Sequence, residues 1–89
     1  MIRKRIQIIN KLGLHARAAA KMIQTATKFS SHIEISREAK VVNGKSIMGL
    51  MMLAASKNTW IDLTVAGKDE LQALQSLENL VNNRFGEKK

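Results

Sequence analysis

The 89-residue sequence contains no cysteine, no proline and no tyrosine, and its only aromatic residues are one tryptophan and two phenylalanines. The lack of cysteine excludes disulfide bridges and thiolate metal sites, and it is typical of a cytoplasmic protein. No apolar run approaches the ~20 residues that a membrane-spanning helix needs. The N-terminal stretch "MIRKRIQIIN" also lacks the apolar region of a signal peptide. We therefore expect a cytoplasmic protein that does not bind a membrane.

Acidic residues are also few, with 7 Asp and Glu against 15 Lys and Arg, and the formal net charge is +8. Such a charge is typical of proteins that bind nucleic acid, and it also speeds the encounter with an acidic protein. The basic residues are scattered along the chain, and the few aromatic residues offer little surface on which bases could stack. These features disfavour nucleic acid as a partner, so a small basic nucleic-acid-binding domain is kept only as the alternative from another functional class.

The chain length predicts a single domain, residues 1–89, with one thin core and no deep cavity. Apolar residues alternate in some segments, as in strands, and recur at helical spacing in others. The predicted strands are residues 2–9, 32–36, 41–42 and 60–67, and the predicted helices are residues 16–29, 47–55 and 70–85. Asp69 and Gln72 predict a capping box for the last helix. The order β-α-β-β-α-β-α predicts an α+β fold with an antiparallel sheet and helices on one face.

Two kinds of site are rejected from the sequence. Residues 39–46, "AKVVNGKS", approach a nucleotide-binding phosphate loop, but the motif needs glycine where Ala39 stands. We interpret this segment as an Asn-Gly turn that leads into a helix with Ser46 as its N-cap. The two histidines, His15 and His32, have no further ligand at metal spacing, so neither a metal site nor a cofactor is expected.

The segment "NKLGLHARAAAKMI", residues 10–23, places His15 immediately before the first predicted helix. The start of a helix presents free N–H groups and a partial positive charge, which attract anions and favour a neutral, nucleophilic imidazole. Arg17 adds a forked donor that suits phosphoryl oxygens. The neighbouring residues are small and are expected to leave the ring open to a large partner: Gly13, Ala16, Ala18, Ala19 and Ala20.

No general base is expected beside His15, and no substrate cavity is expected near it. We therefore interpret His15 as a histidine that accepts a phosphoryl group and then gives it away. A protein of this kind is a carrier rather than an enzyme, because its partners supply the catalytic machinery.

The segments "GLHARAAAK" and "VNGKSIMGLMMLAA" together resemble the HPr family, the histidine phosphocarriers of the bacterial phosphoenolpyruvate-dependent phosphotransferase system. The resemblance covers essentially the whole chain. It implies an open-faced β-sandwich, with a four-stranded antiparallel sheet and three helices on one face. It also implies that His15 takes a phosphoryl group on Nδ1 from phospho-enzyme I, that Arg17 holds this group, and that a IIA-type protein receives it. Ser46 matches the serine that a dedicated kinase phosphorylates in part of the family.

Ala18 departs from many sugar-system members of the family, which have proline directly after the motif arginine. The resemblance therefore favours the nitrogen-related branch, called NPr. That branch is regulatory, with a nitrogen-type enzyme I as donor and a nitrogen-related IIA protein as acceptor. A sugar-transport HPr is the alternative, and in either case we expect a monomer.

The second predicted helix has more apolar residues than one core stripe needs. Leu50, Leu53 and Ala54 can face the core. The remaining apolar residues of this helix are either buried as well in a thin domain or form a docking surface, where flexible methionines would fit two partners in turn. The docking surface would surround His15 and contain Ala16, Arg17, Ala20, Gln24, Ile47, Met48 and Met51.

Overall fold

The computed structural model describes residues 1–89. The order of its strands and helices is the predicted one, and a short helical turn, residues 84–86, follows the last helix. The strands are β1 (Ile2–Gln7), β2 (His32–Arg37), β3 (Lys40–Asn43) and β4 (Trp60–Ala66), and the helices are α1 (Ala16–Ala26), α2 (Ile47–Met52) and α3 (Glu70–Asn82). None of these helices combines the length and the hydropathy that crossing a membrane requires.

All four strands pair antiparallel in one sheet, in the spatial order β1-β4-β2-β3. The alternation in β4 sets the covered face, because Ile61, Leu63 and Val65 are buried while the residues between them are partly exposed. The helices cover this face and share with it one cluster of 20 buried apolar residues. The architecture is the α+β open-faced sandwich that the sequence predicted.

The alanines of α1 correct one expectation about the site. Ala18 and Ala19 are fully buried in the core cluster, together with Met22 and Ala26. Small side chains let α1 approach α2 and α3, against which it packs. Ala18 and Ala19 therefore contribute to close helix packing and do not create open space around His15.

The C-terminal ends of the two long helices and the cap of α3 differ from the sequence prediction. α1 ends at Ala26, three residues before Phe29. After Thr27, whose hydroxyl also donates to the Ile23 carbonyl at 2.9 Å, the N–H groups of Lys28 and Phe29 bind carbonyls only three residues back, at 3.2 Å each, so the helix tightens into a turn. Asp69 is the N-cap residue of α3, but its side chain makes no capping bond. The predicted capping box with Gln72 is therefore wrong.

The Asp69 carboxylate instead joins the start of α3 to the loop that follows α1. It accepts hydrogen bonds from the backbone N–H groups of Ser30 and Ser31, at 2.9 and 3.0 Å, and from the hydroxyl of Ser31. The hydroxyl of Ser31 and the N–H of Ser30 hold the pKa of Asp69 below its usual value. These bonds to residues far away in sequence use the carboxylate oxygens that a capping box needs.

Two apolar positions were also assigned to the wrong environment. Leu71 belongs to the apolar pattern of the last helix, but it is exposed, and Ala73 takes the buried position on α3. Ala54 is exposed with a positive φ of 51°, and Ala55 is buried instead. The chain leaves α2 through this turn, which moves the inward-facing position by one residue.

Candidate functional site

His15 is the N-cap residue of α1, with an extended backbone, and its ring makes no capping hydrogen bond. The first helical bond runs from the N–H of Ala19 to the carbonyl of His15, at 2.8 Å. The N–H groups of Ala16, Arg17 and Ala18 therefore have no helical carbonyl to bind. The first turn also contains no acidic side chain. The helix start beside His15 thus keeps free donors and a partial positive charge.

Gly13 fixes the loop that leads to His15. Its φ is +67°, and a Cβ added there would lie 2.5 Å from the carbonyl oxygen of Ala55 and 2.8 Å from the Cα of Ser56. The next residue, Leu14, donates its N–H to the same Ala55 carbonyl at 2.8 Å. Only glycine combines this backbone conformation with so close an approach. The loop is therefore fastened to the segment after α2, and His15 starts from a defined position.

A carboxylate lies directly beside the imidazole, which corrects the expectation that no general base is near. Nε2 of His15 donates a hydrogen bond to Oε2 of Glu87. The other carboxylate oxygen of Glu87 accepts from Nδ2 of Asn10 at 2.9 Å, and Nδ2 also donates to the carbonyl of Gly13 at 2.8 Å. The side chains of His15 and Glu87 are only 27% and 17% exposed. Asn10, Glu87 and His15 form a hydrogen-bonded chain, which we call the Asn10–Glu87–His15 chain.

Glu87 is ionised at neutral pH. Burial alone would raise the pKa of its carboxyl, but hydrogen bonds from Asn10 and His15 and the positive charge of Lys21 outweigh burial and lower the pKa. An ionised carboxylate can only accept hydrogen bonds. The ring nitrogen that it contacts, Nε2, must therefore be the protonated one.

The C-terminal segment reaches the site through an unusual turn. Arg84, Phe85 and Gly86 all have positive φ angles, of 54°, 53° and 79°, and they reverse the chain after α3. Phe85 is fully buried, and its carbonyl accepts a hydrogen bond from Nζ of Lys21 at 2.6 Å. These contacts return Glu87 to the start of α1. No motif in the sequence marks Glu87, so sequence reasoning missed it.

An open depression surrounds the imidazole. Its lining residues are Lys11, Leu12, His15, Ala16, Arg17, Glu87 and Lys89. The Arg17 side chain is exposed and takes part in no hydrogen bond or ion pair. The sequence-predicted pair His15 and Arg17 is thus brought to one surface, with a guanidinium free to bind an anion.

Ser46 is the N-cap of α2, as the sequence predicted. Its hydroxyl accepts the N–H of Gly49 at 3.2 Å. The apolar residues that follow it are exposed, with Ile47 at 41%, Met48 at 69% and Met51 at 45%. The alternative in which a thin domain buries them is therefore wrong.

The rest of the predicted docking surface lies on α1, against which α2 packs. Ala16 and Gln24 are exposed, and Ala20 is half-buried. His32, the other histidine, lies on the surface beside Glu34. No cluster of three or more side chains in residues 1–89 could hold a metal ion.

Comparison with known proteins assigns the fold and the site to one family. The family model described as "PTS HPr component phosphorylation site" matches residues 2–83. The phosphocarrier protein HPr of Neisseria meningitidis is 54% identical over 87 residues, which are 98% of both chains. The crystal structure of HPr-C-His from Thermoanaerobacter tengcongensis is 46% identical and covers both chains completely, with a TM-score of 0.96. The chain belongs to the HPr family, the phosphocarrier proteins of the phosphotransferase system, and it is therefore a carrier and not an enzyme.

A second structure of HPr from Thermoanaerobacter tengcongensis bears on the oligomeric state. It is described as an HPr dimer, is 47% identical, and covers 98% of this chain and all of its own chain, with a TM-score of 0.79. The expectation of a monomer stays a prediction for this chain.

Proposed function

We propose that the protein accepts a phosphoryl group on Nδ1 of His15 from phospho-enzyme I and passes it to a IIA-type protein. The observation that carries this proposal is the pairing of Nε2 with Glu87, which leaves Nδ1 as the ring nitrogen with no hydrogen-bond partner. A free lone pair on Nδ1 can attack phosphorus, whereas Nε2 holds its proton against the carboxylate.

Arg17 and the start of α1 bind the transferred group. A phosphoryl group brings negative oxygens that accept charge-assisted hydrogen bonds from a guanidinium and from free backbone N–H groups. Arg17 has no competing partner, and the N–H groups of Ala16 and Arg17, two residues that line the depression, precede the first helical hydrogen bond. The depression thus provides donors for the phosphoryl group without a metal ion or a cofactor.

The donor and the acceptor belong to the nitrogen-related branch in this proposal. Ala18 supports it, because many sugar-system members have proline directly after the motif arginine. A sugar-transport HPr is the second candidate, and the name of the Neisseria meningitidis relative, phosphocarrier protein HPr, fits either branch. The two candidate functions predict different donors: His15 is phosphorylated faster by the nitrogen-type enzyme I in the first and by the sugar-type enzyme I in the second.

The exposed apolar residues around His15 form the docking surface for both partners. Ile47, Met48 and Met51 of α2 present side chains that a monomeric chain does not cover, and α1 adds its exposed positions, Ala16, Ala20 and Gln24. A dedicated serine kinase that phosphorylates Ser46 would place a dianion at the edge of this surface and regulate docking. The protein acts in the cytoplasm as a single domain, residues 1–89.

The test mixes the protein with phosphoenolpyruvate and either the nitrogen-type or the sugar-type enzyme I, and follows acid-labile, base-stable phosphate over time. We expect faster labelling with the nitrogen-type enzyme and none in His15→Ala. Acid-labile phosphate in His15→Ala would contradict the site. A nucleic-acid-binding protein would instead show salt-dependent retention on DNA that His15→Ala leaves unchanged.

A further inference from the structure

We infer that Glu87 is a positioning residue for His15: held by Asn10, it fixes the imidazole as the Nε2–H tautomer and stabilises the charge that the ring gains on phosphorylation. This inference rests on the proposed function of His15. Glu87 lies 72 residues from His15 in sequence, yet its carboxylate is the only group that contacts the ring through a hydrogen bond.

Asn10 determines which carboxylate oxygen is left for the ring. Its side chain is fully buried, its Nδ2 donates to Gly13 and to Glu87, and its Oδ1 makes no hydrogen bond. The carbonyl of Gly13 can only accept, so the amide group must present its NH₂ side to both partners. Oε1 of Glu87 is therefore occupied by Asn10, and Oε2 faces Nε2 of His15.

The backbone on both sides of Glu87 is also fastened. Before it, the buried Phe85 side chain and the bond from Lys21 anchor the turn. After it, the carbonyl of Lys89 accepts the N–H of Lys11, in the loop before His15, at 2.9 Å. A carboxylate held from three directions does not have to be ordered when the reaction takes place.

The chemical consequence follows from the position of the proton. With hydrogen on Nε2, the lone pair of Nδ1 attacks phosphorus and forms the N–P bond. The bond from phosphorus to the donor's leaving atom breaks, and its electron pair stays with that atom. The Nε2 proton is not transferred, so the phosphorylated ring gains a positive charge opposite the Glu87 carboxylate. Carboxylates that orient catalytic histidines in hydrolases act in the same two ways.

The substitution Glu87→Gln tests tautomer control more sharply than removal of the side chain. Asn10 continues to donate, so it holds the new amide oxygen and turns the NH₂ group towards Nε2. An NH₂ group beside Nε2 favours the Nδ1–H tautomer, which has no lone pair on Nδ1. In Glu87→Ala the ring can take either tautomer. Both variants lose the same negative charge, so a difference between their phosphorylation rates cannot come from the change in net charge.

We expect Glu87→Gln to slow phosphorylation of His15 by roughly 100-fold or more, and Glu87→Ala by only about 10-fold, through lost orientation. A purely structural role predicts the opposite ranking, because glutamine preserves the shape and the bond to Asn10. Glu78→Gln is the matched control, since Glu78 forms an ion pair with Lys4 on the surface of α3. It should keep the wild-type rate.

The tautomer itself is measured by ¹⁵N NMR of the His15 ring at neutral pH, which needs no phosphoryl donor. We expect Nε2–H in the wild type and in Glu78→Gln, Nδ1–H in Glu87→Gln, and a mixture in Glu87→Ala. An unchanged Nε2–H tautomer in Glu87→Gln would overturn the inference whatever the rates are. A wild-type protein that shows the expected tautomers but takes no phosphate would refute the proposed function and leave only the tautomer control by Glu87 in place.

Discussion

Ser46 offers a test that separates the stability of α2 from its role in docking. Its hydroxyl accepts the N–H of Gly49 at 3.2 Å, and the six-residue helix has no acidic side chain in its first turn. Ser46→Ala removes this cap and should cost about 1 kcal/mol of unfolding free energy. For a chain of this size, such a loss lowers the melting temperature by about 4–8 °C. Ser46→Asp keeps a capping oxygen and gains about 0.3–1 kcal/mol from the helix dipole, so it should melt near the wild type or slightly above.

Phosphoryl transfer should rank the same two variants in the opposite order. The new carboxylate in Ser46→Asp lies beside Ile47 and Met48, which a docking partner would have to cover. If docking removes this carboxylate from water or brings it near another negative charge, the binding free energy falls by about 1.5–3 kcal/mol. The complex would then be roughly 10- to 100-fold weaker. Ser46→Ala adds no charge and should transfer at nearly the wild-type rate.

The assay is single-turnover transfer from phospho-enzyme I at several protein concentrations and at low and high salt. The loss in Ser46→Asp should appear as weaker binding and should shrink at high salt where charge repulsion is the cause. Gln75→Glu is the control, because it adds the same charge on an exposed position of α3. Wild-type transfer by Ser46→Asp would place α2 outside the docking surface. Equal losses in Ser46→Asp and Gln75→Glu would show that net charge, not position, is responsible.

Three further predictions test Arg17, Gly13 and Asp69. Arg17→Ala should fold normally but transfer phosphate at least ~10-fold more slowly, measured by stopped-flow. Arg17→Lys should recover only part of the rate, because a single ammonium cannot replace the guanidinium fork. Equal transfer rates for the wild type and Arg17→Ala would remove Arg17 from the mechanism. Gly13→Ala should lose about 2–4 kcal/mol in urea unfolding, because a positive φ and contact with Ala55 act together. Gly86 also has a positive φ, but a Cβ added there would meet only the flexible end of Lys21, at 3.2 Å. Gly86→Ala should therefore lose only about 1 kcal/mol of unfolding free energy. Similar losses in Gly13→Ala and Gly86→Ala would show that the close approach at Gly13 is unimportant. Asp69 has a pKa below its usual 3.8 in the folded protein, so the stability it contributes is complete above that value and is lost as the pH falls through the lower folded-state pKa. The urea midpoint of the wild type should therefore decline below about pH 4, and Asp69→Asn should decline less. An equal decline in both proteins would show that Asp69 is not its origin.

Local patterns predicted the architecture because most of the strands and helices have one apolar face that packs against the core. The alternation of Ile61, Leu63 and Val65 identified β4 and its buried side without knowledge of its neighbours. His15 and Ser46 were placed correctly for the same reason, since the start of a helix can be recognised from a few adjacent residues.

The features that sequence reasoning missed depend on contacts between distant segments. Glu87 reaches His15 only because the turn at residues 84–86 reverses the chain, and no local rule places three positive φ angles there. Asp69 has a capping sequence, but Ser30 and Ser31 compete for its oxygens. The alanines of α1 were ambiguous, because a small side chain suits both an open surface and a closely packed helix pair, and Ala18 and Ala19 belong to the second case.

The most direct test of the central claim is to determine which atom carries the phosphoryl group. Protein labelled with ¹⁵N is phosphorylated by phosphoenolpyruvate and the enzyme I that acts on it, and ³¹P and ¹⁵N NMR spectra are recorded under alkaline conditions, where phosphohistidine is stable. We predict a single phosphohistidine at His15 with phosphorus on Nδ1 and hydrogen retained on Nε2, beside Glu87. Phosphorus on Nε2, on His32 or on a hydroxyl, or no phosphorylation with either enzyme I, would contradict the account.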